Sequence, residues 1–130
     1  NRPPEPSEYA EYHLTYISKV ECSGDILSYL DSQSAVFLDL LHSVGESQSL
    51  QRYAEGKWSF REALSHINDT ERVFAFRAFW FARGGADTPL PGFDQDRFAA
   101  NAAADARPWL SHVDEFISIR AATIDRKSVV

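Results

Sequence analysis

The chain has 130 residues, of which 44% are apolar and 25% charged, with three Trp, five Tyr and nine Phe. That is the size of one domain with ample surface for a core. A net charge of −6 without any Lys/Arg stripe argues against nucleic acid as a partner, since duplex affinity draws mostly on cation–phosphate contacts. No apolar run reaches the roughly 18 residues of a membrane helix, and no basic-then-apolar lead marks a signal peptide.

The chain opens on Asn1 rather than Met, so a processed or trimmed N-terminus is expected, and a removed targeting segment is compatible with it. The single cysteine, Cys22, has no internal disulfide partner. A lone thiol fits a reducing, cytoplasmic setting. Nothing basic surrounds it that would depress its pKa, so it reads as a packed thiol rather than a nucleophile.

Residues 1–8, NRPPEPSE, read as an extended, Pro-rich arm, and residues 9–130 as one helical domain. Tyr9, Tyr12, Tyr16, Ile17 and Val20 recur at helical spacing, which predicts a short helix broken at Ser23-Gly24. The next helix is predicted from about Asp25 to Val44. Its stripe is Ile26, Leu30, Phe37, Leu40, Leu41 and Val44, with Asp25 or Ser23 as cap and Gly45 as the stop.

A polar connection, residues 45–58, leads to the clearest start signal. Ser59 followed by Glu62 forms a capping box, and Trp58 and Ala63 flank it as a weak hydrophobic staple. A helix is predicted over Phe60–Arg83, closed by Gly84-Gly85, with a stripe of Phe60, Ala63, Leu64, Ile67, Phe74, Ala78 and Phe81. At about 1.5 Å per residue it spans about 36 Å.

Residues 84–104 are long and irregular, with a short helix expected within Asp94–Ala104. About 11 extended residues suffice to return along such a helix, so this segment serves as an overhand crossover. It would make Phe60–Arg83 parallel to the last helix, which is predicted from about Asp105 to Asp125 with Pro108 in its first turn. That helix carries Trp109, Val113, Phe116, Ile117, Arg120 and Ile124. No strand pattern is present. Three long helices leave apolar faces bare, at about 25 cal/mol per Å². Either a second copy covers them, as a homodimer, or the natural protein is longer.

His66 carries the candidate chemistry. Asp69 and Thr70 lie three and four residues on, sharing its face. An imidazole beside a carboxylate suits a metal site, and a histidine hydrogen-bonded at the bundle edge is the plainer alternative. His42, His66 and His112 all fall at one end of the predicted bundle and form an alternative cluster, whereas His13 has no partner in this scheme. Glu71 falls on the core stripe and requires a cation from another helix, for which Arg120 is the choice. Asp69 and Arg72 are spaced to pair on the helix surface. The aromatics Phe74, Phe76, Phe79, Trp80 and Phe81 surround the helix too widely for one buried stripe. They suit either packing under Phe93 and Phe98 or a dimer surface and pocket mouth.

The string YAEGKWSFREALSHINDTERVFAFRAFWFARGGADTPLPGFDQDRF resembles the DinB/YfiT-type helical bundle family. It carries KWS, then a helix with His-x-x-Asp-x-Glu-Arg, an Arg-rich helix end and a Pro-Gly-Phe-Asp loop. GDILSYL and EFISIRAAT extend the likeness loosely. The resemblance implies an all-α, up-down-down-up four-helix bundle, here with three long helices, a short N-terminal helix and the crossover at 84–104. It further implies a divalent metal, zinc or nickel, in a metal-dependent hydrolase or thiol S-transferase, with His66 as the first ligand. The family's other two ligands, a His pair on the fourth helix, have no counterpart in these 130 residues. A non-catalytic bundle that oligomerises or binds a small ligand is the alternative reading.

Overall fold

A computed structural model describes residues 3–20 and 25–125. The helices are α1 Leu14–Ile17, α2 Ile26–Ser43, α3 Phe60–Ala82, α4 Gln95–Asn101 and α5 Trp109–Asp125, joined by 3₁₀ turns. Among the described residues the only strand-like pairing is an isolated bridge between Arg52 and Ser59. The chain divides into two compact units, residues 1–36 and 37–130, with the boundary inside α2.

In the first unit the Pro-rich lead is not wholly extended. It contains a 3₁₀ turn, Pro6–Glu8, in which the Glu5 N–H donates to Glu8 Oε2 at 2.7 Å. The helix expected over Tyr9–Val20 shrinks to a 3₁₀ turn, Glu11–His13, running into the single turn of α1. Tyr12, Leu14 and Tyr16 all remain exposed. With nothing to bury, so short a helix does not repay its nucleation. Asp25 begins α2 as expected, its carboxylate accepting from the N–H groups of Leu27 at 3.4 Å and Ser28 at 3.3 Å. Ser23, Gly24 and Cys22 lie outside the described residues.

The second unit is organised by α3. Its capping box forms as predicted. Ser59 Oγ accepts from the Glu62 N–H at 3.1 Å, and Glu62 Oε2 accepts from the Ser59 N–H at 2.8 Å. At the other end Gly84 adopts φ 86°, the left-handed conformation that terminates helices. Gly85 permits a close approach, for a Cβ there would sit 2.1 Å from the Trp80 indole nitrogen. That indole donates to the Gly85 carbonyl at 2.6 Å.

The helix directions follow from which residues meet. Arg61 bonds the carbonyls of Asp105 and Arg107, Asn68 bonds that of His112, and Glu71 meets Arg120. Numbers rise together, so α3 and α5 are parallel and residues 83–108 cross over between them. The end of α2 runs the other way. Glu46 and Leu41 meet Trp109, while Phe37 packs edge-on against Phe116 at 5.1 Å. These are the first three legs of the expected up-down-down-up bundle.

Leu41, Leu64, Trp109, Val113 and Phe116 form the buried core, with Phe37, Leu38 and Val44 partly buried against it. Full burial contributes about 1.5–3 kcal/mol for each such large side chain. The stripe of α3 is corrected, however. Its buried face is Arg61, Leu64, Ser65 and Asn68, whereas Phe60, Ile67, Phe74 and Phe81 are exposed.

Arg61 explains how a polar face can be buried. Its Nε donates to Ser49 Oγ at 2.8 Å, and Nη1 donates to the carbonyls of Asp105 at 3.0 Å and Arg107 at 2.6 Å. Nη2 donates to the Glu46 carbonyl at 3.1 Å and to Glu46 Oε1 at 2.5 Å. All five guanidinium donors are thus used. The second Glu46 oxygen accepts from the first N–H of α5, that of Trp109, at 2.8 Å. A carboxylate is favourable at a helix N-terminus. One ion pair therefore ties the start of α3, the start of α5 and the segment after α2.

Candidate functional site at His66

His66 sits in the second turn of α3, half-buried. Trp58, delivered by the residue just before the cap, tilts against the imidazole at 4.9 Å between ring centroids. Phe93 stacks on it almost parallel, at 6.2 Å and 3°. Phe93 belongs to the crossover, which is pinned to α3 on one side by Arg77 Nη2 donating to the Pro91 carbonyl at 3.1 Å. On the other side Asp94 caps α4 by accepting from the Arg97 N–H at 3.1 Å. The ring's one recorded hydrogen bond among the described residues is a long one, Thr70 Oγ1 to Nε2 at 3.5 Å. The imidazole is therefore held by two rings and one long hydrogen bond.

The other histidines lie elsewhere. His42 is exposed in the last turn of α2. His112 is wholly buried on α5, between Trp109 and Val113 in the core stripe. Its Nε2 lies 3.0 Å from the Ala104 carbonyl, which makes that nitrogen the protonated donor. Nδ1 is buried without a partner, as is Oδ1 of the neighbouring Asn68. His13 lies in the first unit against the Tyr12 ring. Among the described residues no three His, Cys, Asp or Glu side chains gather as a metal group. Three protein ligands and a water are usual for a catalytic zinc. The described residues gather no such group around His66, so they do not make up that set.

Beside His66 the same face carries an ion-pair cluster. Glu115 of α5 accepts from Arg72 at 2.5 Å and Arg107 at 2.8 Å. Burial pushes its carboxyl up, but these two hydrogen bonds prevail and hold it below the usual glutamate value. Among the described residues Asp69 forms one ion pair, with Arg72 at 3.7 Å, while His66 and Arg107 act on it at longer range. Burial, reinforced by the Glu115 charge, raises its carboxyl above the usual range despite the opposing pull of Arg72. Glu71 meets Arg120 as predicted, in a fork with distances of 2.9 and 3.0 Å to Nε and 2.9 Å to Nη2. Both partners are almost buried.

Sequence reasoning missed Arg61, Arg107 and Glu115. Arg61 and Arg107 occupy positions beside helix starts, where a cation ordinarily faces water. One signal for His112 was present: residues 109, 112, 113 and 116 share one helical face.

The sequence pattern of the DinB superfamily matches residues 29–126. No curated protein and no solved structure matches the chain. With the matched span covering most of the sequence, and the capped α3, crossover and parallel α5 in place within it, the chain is a member of the DinB superfamily.

Proposed function

We propose that this domain handles a small organic molecule at the α3–crossover face, as a relative of the metal-dependent hydrolases and thiol S-transferases, with His66 as its reacting imidazole. The observation that carries this reading is the clamp of Trp58 and Phe93 on His66, which orders a partly exposed imidazole that has no strong hydrogen bond. A side chain kept rigid by neutral rings retains its nitrogen lone pair for a ligand or a proton.

The cofactor of this reading is a divalent zinc or nickel ion, which when bound lowers the pKa of a water or thiol. His66 is its proposed ligand. The remaining ligands would come from outside the described residues. Metal content of the purified protein, after growth with zinc and nickel supplied, is the test. Stoichiometric metal lost in His66→Ala supports the metal-dependent reading, and metal-free protein refutes it.

A second reading, a non-catalytic bundle acting through a homodimer, is favoured by one observation. Phe60, Ile67, Phe74 and Phe81 recur every seven residues along α3 and all are exposed, the spacing of a helix-pairing seam. Light scattering after size exclusion tests it, and a monomer at high concentration rejects it. Among the described residues no helix is long and apolar enough to cross a membrane. A cytoplasmic location is part of the proposal, and cell fractionation checks it.

A further inference from the structure

Two cavities flank Phe98 of α4. One is polar, about 570 Å³, and lies between α3, α4 and α5, with Ser65, Asp69, Arg97, Asn101 and Glu115 on its walls. The other, about 270 Å³, is walled almost wholly by apolar groups, among them Val73, Phe76, Leu90, Pro91 and Phe93. Phe98 lines both, and the Phe93 ring that it meets edge-on at 4.8 Å is the one stacked on His66.

The charges in the polar cavity are unequally satisfied. Glu115 is neutralised by Arg72 and Arg107. Asp69 is left with one cation at 3.7 Å, outside hydrogen-bond distance. Lining the same cavity, the Arg97 guanidinium makes no ion pair or hydrogen bond among the described residues, and neither does the Asn101 amide or the Ser65 hydroxyl. The cavity thus presents one carboxylate and one guanidinium without close partners, together with uncharged hydrogen-bonding groups.

We propose that this pair of cavities binds an amphiphilic zwitterion, an α-amino acid with an apolar side chain or a compound bearing such a group. Its ammonium group lies at Asp69 and its carboxylate at Arg97 and Asn101. Its apolar part passes Phe98 into the pocket walled by Phe76, Leu90 and Phe93. The apolar cavity matches a single aromatic or branched side chain, and the guanidinium fork suits a carboxylate. This inference rests on reading the α3–crossover face as a small-molecule site, and it adds the class of molecule.

The probes are L-phenylalanine, phenethylamine, which lacks the carboxylate, and 3-phenylpropionate, which lacks the ammonium group. Each is titrated into the full chain by protein-observed NMR. Saturable binding of L-phenylalanine is expected, with each half-charged analogue weaker by roughly tenfold, the equivalent of about 1.4 kcal/mol. Arg97→Gln, an exposed change on α4 that leaves the core intact, should bring L-phenylalanine down to the level of phenethylamine. Asp69→Asn should bring it down to the level of 3-phenylpropionate. Equal binding of all three probes would overturn the zwitterion assignment while leaving a small-molecule site. Absence of binding by all three would overturn both.

Discussion

Replacing Arg61 with Met keeps a long apolar stem but removes the whole fork. The substitution strands the Asp105 and Arg107 carbonyls at a site where Arg61 itself is only 5% exposed, and it takes from Ser49 Oγ the donor it accepts from. Glu46 loses its cation too, but its carboxylate is largely exposed and regains water, so it contributes little. A hydrogen bond to a charged donor contributes about 1.5–3 kcal/mol, and such terms within one network do not add fully. A net loss of about 3–5 kcal/mol is expected from the lost charge-assisted hydrogen bonds and the buried carbonyls left without a donor. Urea unfolding followed by circular dichroism measures it, and the midpoint of thermal unfolding should fall by roughly 15 °C or more. Arg61→Lys separates charge from geometry, since an ammonium reaches Glu46 but not three further acceptors, and it should recover less than half of the loss. A loss under about 1 kcal/mol in Arg61→Met would show that the fork does not hold the helix starts together.

Glu71 and Arg120 form an ion pair in which both partners are nearly buried. Either Glu71→Leu or Arg120→Met alone breaks the fork. Arg120→Met should cost about 3 kcal/mol by leaving the Glu71 carboxylate buried without its cation, and the double variant should cost less than Arg120→Met alone. Urea midpoints of the three variants settle this, and simple additivity contradicts it. Glu115 and Asp69 should show opposite pH signatures. The depressed Glu115 carboxyl stabilises the fold above the ordinary glutamate value, and this is lost as pH falls through its lower folded value. Glu115→Gln should therefore destabilise at neutral pH by about 1–2 kcal/mol and converge with the parent in acid. The raised Asp69 carboxyl penalises the fold once ionised, a penalty relieved as pH falls through its folded value. Asp69→Asn should stabilise at neutral pH and converge in acid, and stability curves from pH 3 to 8 check both signs. Gly84→Ala meets open space at φ 86°, so its cost is backbone strain alone. Thermal unfolding should register a loss of about 1 kcal/mol.

The local elements were legible in the sequence because their causes are local. A Ser and a Glu three residues apart close a box on any helix start, and a glycine enters the left-handed region whatever surrounds it. The crossover was legible from chain length against helix length, and the Glu71–Arg120 pair from a charge on an apolar stripe.

Rotation of each helix about its own axis was not legible, because that depends on which neighbour fills which groove. Phe60 and Ile67 outrank Arg61 and Asn68 on any hydrophobic scale, yet α3 turns the polar pair inward. Backbone carbonyls on the segments before α5 supply Arg61 with acceptors that no local pattern reveals. The same rotation buries His112, leaves His42 in solvent and sets His66 between Trp58 and Phe93. The sequence alone therefore determined the three long helices, the capped start and glycine stop of α3, the helix directions and the family. The first predicted helix shrank to single turns, and α5 starts at Trp109 rather than Asp105. The tertiary structure decided which faces are buried and which histidine is held at the surface, because a buried polar group is tolerated only where partners from distant segments meet it.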